Sequence, residues 1–418
     1  MEKLTSNPRK QFLKQMGLKI DPFVYSISEL ELEHSTYFVE GQYKNGAAKS
    51  EELYTPFLEY FVQPTISHRK TPITLEKLRE SQHSFIFGES GSGKTMLRLM
   101  LEARMRLVPD IPNRSLVVTH SFRVLTEKYW LSLAQALSID FVIQLIEQFH
   151  LQPSVTEEKI SALTWQISMG GPQVRRLAER YIKEPESESQ VGLGILWPQV
   201  GRTALKRVYR HPKLVEVFKK ILAKDDTCSQ EDLSDSYDIL ERSFRTAKTW
   251  GFKKIFILID DLNDSWRSEA EIMTLLQPLF EKLREWRDEN IYLKGFLPTR
   301  LQKLVKDFLK QRNFSKTFVY TTKIKWTPQS LRNLLMQRLR TGGSRHISFN
   351  DFASPGLELE ENLLHAARGQ PSRLLRHINR LIDLHVRRDP NEFFFSIEDW
   401  NNSKKQEDIL YAWPDENP

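Results

Sequence analysis

One stretch constrains this chain more than any other. Ser84-Phe85-Ile86-Phe87 reads as a short buried strand, Gly88-Glu89-Ser90-Gly91-Ser92-Gly93-Lys94-Thr95 as a glycine-rich turn, and Met96 to Arg106 carries apolar residues at helical spacing. The turn fits G-x-x-x-x-G-K-S/T, a pattern that has physical meaning only between a strand and a helix. Glycines let the backbone curl so that its N–H groups point inward at an anion, and the helix that follows presents its positive end to the same point. The spacing predicts a phosphate cradle built from Gly88, Glu89, Ser90, Gly91, Ser92, Gly93, Lys94, Thr95 and Met96, with Lys94 reaching the β- and γ-phosphates of a bound nucleotide and the Thr95 hydroxyl on Mg²⁺.

A second element follows. Ile255-Phe256-Ile257-Leu258-Ile259 is a five-residue apolar run ending in Asp260-Asp261, the form of a central parallel strand that delivers carboxylates to the ligand-binding edge of a sheet. Asp260 is placed to hold Mg²⁺ and Asp261 to orient or deprotonate an attacking water. Leu116-Val117-Val118, Tyr292 to Leu297 and Phe318 to Ile324 are further strand candidates, and helical patterns alternate with them. The expected fold is therefore α/β: a parallel-sheet core over 81–326 with a helical insertion at about 123–250. Thr327-Pro328 then reads as an N-cap and first helical position, opening an all-helical lid over 327–388. Residues 1–80 are expected to form an N-terminal region of unknown role, and 389–418 a C-terminal tail.

These residues carry a resemblance. Ile259-Asp260-Asp261-Leu262-Asn263-Asp264 resembles the extended acid motif of STAND and KAP-type P-loop NTPases, relatives of the AAA+ and origin-recognition-like ATPases, with Asn263 where those families usually have an acid. Leu297-Pro298-Thr299-Arg300 is similar to their sensor segment, which implies that Arg300 senses the γ-phosphate. Gly369-Gln370-Pro371 is similar to their G-x-P motif, which implies that Pro371 packs near adenine. The same stretch looks like an AAA+ second sensor with Ser372 in the arginine's usual place, and Arg373 or Arg376 is then the substitute. The resemblance implies an ATP- and Mg²⁺-dependent switch of slow turnover that controls self-association or a protein effector, a role that bacterial relatives play in defence and stress signalling. No guanine-reading NKxD element follows the acid strand, which favours adenine.

Charge leaves an alternative open. The 418 residues include 61 Lys plus Arg and 54 Asp plus Glu, a net charge of +7. Residues 1–80 contribute none of it, whereas Asn290 to Arg388 holds 19 basic and 6 acidic side chains. Within the insertion, Arg202 to Lys224 has eight basic residues against Glu216, and Trp197 and Tyr209 lie nearby. Such clusters also suit a nucleic-acid-binding AAA+-like ATPase regulating DNA transposition or processing, and the altered acid motif suits a nucleotide-locked scaffold. The single cysteine, Cys228, forms no intramolecular disulfide or thiolate cage. No uninterrupted apolar run approaches the roughly 20 residues of a membrane helix. The expectation is a cytoplasmic protein with no membrane contact.

Overall fold

The computed structural model describes residues 7–23, 61–66, 75–107, 114–121, 129–149, 154–183, 190–191, 208–209, 211–223, 235–260 and 268–411. They belong to two compact units. One comprises Thr74–Glu89 and Lys94–Lys323, the other Met1–Ile73, Ser90–Gly93 and Ile324–Pro418. In chain order the strands are β1 (Thr65–Ile66), β2 (His83–Gly88), β3 (Ser115–Ser121), β4 (Gln190–Val191), β5 (Val208–Tyr209), β6 (Lys254–Asp260), β7 (Ile291–Pro298) and β8 (Val319–Lys325).

The α/β unit is built on a five-stranded parallel sheet in the order β8-β2-β7-β6-β3. β2, β7 and nearly all of β6 are buried, as apolar strands covered on both faces must be. Alternation divides the side chains: Phe85, Phe87, Leu116, Val118, Ile255, Ile257 and Ile259 share one core with the helices Tyr129–Gln148, Glu157–Lys183 and Tyr237–Thr249. Thr119 and Asp260 point to the opposite face, where they meet the helix Lys94–Leu107. The helix before β6, Tyr237–Thr249, buries Leu240 and Phe244.

β3 ends the sheet, and its outer edge is satisfied by side chains. Gln144 accepts from the Val117 N–H at 3.0 Å and donates to the Val117 carbonyl at 2.6 Å, while Asp140 accepts from the Thr119 N–H at 2.7 Å. An exposed ladder is thereby closed to other chains. Those polar residues sit in Tyr129–Gln148, which is long and apolar enough by length and composition to cross a membrane; 78% of its apolar window is buried inside the fold. The expectation that no segment approaches membrane length thus holds for uninterrupted runs but not for this helix, whose interior polar positions grip β3.

The helical unit draws in residues from outside the expected lid. Phe12, Leu13, Met16 and Phe23 of the N-terminal region share a core with Leu331, Leu335, Phe349 and Ile378. Arg9 fastens this segment, bonding Asp21 at 2.7 Å and Asp383 at 2.5 Å. The expected tail includes the helix Ile397–Tyr411, held by Asp399, which accepts from Arg388 at 2.7 Å and pairs with His385 at 2.9 Å. Both segments are drawn in because Pro328–Gly342, Leu359–Ala366 and Pro371–Arg388 alone leave an apolar face open. Pro328–Gly342 begins as its sequence suggests, with Thr327 and Ser330 forming a reciprocal cap.

Two buried bases make the α/β unit pH-sensitive. His83 accepts the Leu293 N–H on Nδ1 at 3.0 Å and donates from Nε2 to the Leu283 carbonyl at 2.8 Å, and burial pushes its pKa down to about 3. Lys294, fully buried, spends its three donors on the Glu80 and Gln82 carbonyls and the Ser84 hydroxyl, and burial lowers it to about 7. Each binds a proton more readily unfolded than folded. His83 therefore costs stability as pH falls below 6.5, by about 1.4 kcal/mol per pH unit, and Lys294 yields stability as pH rises from 7 towards 10.5. Urea titrations at pH 6.5 and 5 are expected to show that acid slope in the wild type and a flatter one in His83→Gln; parallel slopes refute the assignment.

Candidate functional site

The sheet order places the site. After β2 the chain leaves through Lys94–Leu107 towards β3 at one edge, and after β7 it leaves through Gln302–Gln311 towards β8 on the other side of β2. Neighbouring strands whose connections diverge leave a crevice at their carboxyl ends, where open α/β sheets bind ligands. Here the neighbours are β2 and β7, and the residues paired at their ends are Gly88 and Pro298. The glycine-rich turn therefore begins at the mouth of that crevice.

Two glycines of the turn are required by its backbone. Gly91 has φ +74° and Gly93 φ +85°, conformations that cost other L-residues about 1–2 kcal/mol. In the α/β unit, Lys94 is 5% exposed and folds back over the turn, donating from Nζ to the Gly88 carbonyl at 2.9 Å and the Glu89 carbonyl at 3.0 Å. Thr95 is exposed and Met96 half-buried in the first turn of Lys94–Leu107. Glu89 is exposed and pairs with Lys323 at 3.3 Å. Arg300 is exposed on the short turn Thr299–Leu301 that follows β7.

The middle of the turn belongs to the helical unit. Ser90 is exposed, whereas Ser92 is buried and its carbonyl accepts from Trp326 Nε1 at 2.9 Å. Ser372 donates its backbone N–H to the Gly91 carbonyl at 3.3 Å, and a Cβ on Gly91 would lie 1.9 Å from the Ser372 hydroxyl. Pro371 is buried at the start of Pro371–Arg388, a helix whose N-cap, Gln370, supplies no side-chain bond. Arg373 is half-buried in its first turn, and Arg376 is exposed with Nε on the Ser372 carbonyl at 3.3 Å. Among the described residues, the buried Ser92 hydroxyl has no partner.

Asp260 ends β6 at the same sheet edge, 4% exposed, and its partner is Arg98 Nε at 3.2 Å. This pair continues as a buried chain of charges. Arg98 also bonds Glu102 at 3.1 Å, Glu102 bonds Arg106 at 2.8 Å, and Arg106 pairs with Glu147. Arg98 is 2% exposed and Glu102 1%, so each ion relies on its neighbours to offset desolvation. The sequence reading missed this chain, although Arg98, Glu102 and Arg106 recur at every fourth position of the helix and so share one face. Trp326 was also missed, since only the fold brings it to Ser92. Asp261, Asn263 and Asp264 lie outside the described residues, as do Cys228, Trp197 and, within Arg202 to Lys224, residues 202–207, 210 and 224. The described part of that basic segment, Pro212–Ala223, exposes Lys213, Lys219 and Lys220 with Glu216 among them.

No protein-family model matches the chain, and no curated protein is significantly similar to it.

Two substitutions test this geometry. Gly91→Ala combines a forbidden φ with a clash and is expected to cost about 1–2 kcal/mol or more, visible as new proteolytic cleavage within the turn. Arg98→Met leaves Asp260 and Glu102 buried without their shared cation and is expected to cost about 3–5 kcal/mol in urea unfolding. Adding Asp260→Asn is expected to recover part of that loss; strictly additive losses argue against a coupled chain.

Proposed function

We propose that this protein is an ATP-binding P-loop ATPase of the STAND and AAA+ kind, a nucleotide-dependent molecular switch that controls self-assembly or a partner effector in bacterial defence or stress signalling. The observation that carries the reading is Lys94 lying on the Gly88 and Glu89 carbonyls where β2 and β7 diverge. An ammonium held by two carbonyls is stored where a phosphate needs it, and exchanging them for β- and γ-phosphate oxygens replaces dipoles with full charges. The positive φ at Gly91 and Gly93 and the partnerless Ser92 hydroxyl suit the same anion.

The residues divide the work. The backbone of Gly88 to Thr95 holds the phosphates, Thr95 and Asp260 hold Mg²⁺, and Arg300 senses the γ-phosphate. Mg²⁺, when bound, supplies charge neutralisation between the β- and γ-phosphates. Among the described residues no three His, Cys, Asp or Glu group as a metal cage. Arg98 balances the Asp260 charge at 3.2 Å and also bonds Glu102 at 3.1 Å. Asp261 orients the water that attacks the γ-phosphorus and takes its proton, and ADP and phosphate leave. Slow hydrolysis then resets the switch.

Calorimetry is expected to show Mg-ATP binding to the wild type, loss of at least a hundredfold in affinity for Lys94→Ala, and loss of the Mg²⁺ dependence for Asp260→Asn. Size-exclusion profiles with ADP and with a non-hydrolysable ATP analogue are expected to differ. Coincident profiles defeat the switch, and failure of the wild type to bind any nucleotide defeats the whole reading.

A further inference from the structure

We infer that the exposed face of the helix Gln302–Gln311 is a docking surface for the phosphate backbone of double-stranded nucleic acid, a property independent of the nucleotide reading. Arg300 to Lys316 carries six basic residues and one acid, Asp307. Val305 and Leu309 bury one side of the helix, which turns Lys303, Lys306 and Lys310 out to solvent, with Lys316 exposed beyond its end. The three helical lysines fall within an arc of about 60° and rise about 4.5 and 6 Å from one to the next. Duplex strands carry a charge about every 3.4 Å of rise, so such a row meets several phosphates at once.

Two observations separate this row from an ordinary solvated surface. Lys303, Lys306, Lys310 and Lys316 make no hydrogen bond or ion pair among the described residues, whereas Lys77, Lys248 and Lys282 of the same unit pair with Glu80, Glu289 and Glu285. Against the single acid Asp307, Arg300 to Lys316 keeps a net charge of +5 in one place. The large exposed apolar side chains among the described residues are Ile347, Phe394 and Ile397, all in the helical unit. The row therefore has no apolar anchor for a lipid surface, and polyphosphate is the chemistry that fits it.

Anisotropy of a fluorescein-labelled 20-base-pair duplex of mixed sequence, titrated with the full chain at 50 and 200 mM NaCl, tests the assignment. Wild type is expected to bind at 50 mM and weaken steeply at 200 mM. Lys303→Gln/Lys306→Gln/Lys310→Gln is expected to lose at least tenfold at 50 mM and to lower the slope of log affinity against log salt by about 2.7, at about 0.9 per phosphate contact. Lys306→Glu alone is expected to weaken binding several-fold. Lys77→Gln/Lys248→Gln/Lys282→Gln, which removes the same charge from paired positions, is expected to bind as wild type. Absence of binding at 50 mM overturns the proposal, as does equal loss in both triple variants, which would reduce the effect to net charge. Lysine-row-dependent binding to phosphatidylserine vesicles with none to the duplex overturns it in favour of a membrane.

Discussion

The insertion of β7 between β2 and β6 is the constraint on which the rest of the α/β unit depends. It forces the chain to leave β2 and β7 in opposite directions beyond Gly88 and Pro298, the kind of switch point at which open α/β sheets bind ligands. It also leaves β6 two strands away from β2, so that Asp260 reaches the site edge on the face covered by Lys94–Leu107. The same arrangement makes β3 an edge strand, and the polar residues inside Tyr129–Gln148 exist to close that edge.

The buried chain from Asp260 through Arg98, Glu102 and Arg106 to Glu147 lies just behind this edge. Replacing ions like these by apolar groups often leaves a fold as stable or more so. Their geometry fixes position: Arg98 holds Asp260 in one orientation while Glu102 holds Arg98.

Much of the fold was legible because parallel strands covered on both faces are written as apolar runs. Ile255 to Ile259 and Tyr292 to Leu297 became strands within a residue of their patterns, and Leu116 to Val118 a strand that runs three residues further. The cap at Thr327 and the glycines of the 88–95 turn were equally plain, since each answers a local backbone need. The N-terminal segment was not. Phe12, Met16 and Phe23 form no long periodic pattern, and the partners that bury them lie more than 300 residues away. The helix Ile397–Tyr411 was missed for a related reason, its hold depending on His385 and Arg388 meeting Asp399.

By itself, the sequence determined the alternation of strands and helices, the glycine-rich turn with Lys94, and the acid at the end of β6, because these rest on periodicity, backbone sterics and spacing within a few residues. Tertiary structure decided where Lys94 rests, that Arg98 is the partner of Asp260, that Trp326 and Ser372 lie on the turn, and which of many lysines remain unpaired. Those are contacts between residues far apart in the chain, and strand order, which no local pattern encodes, sets them.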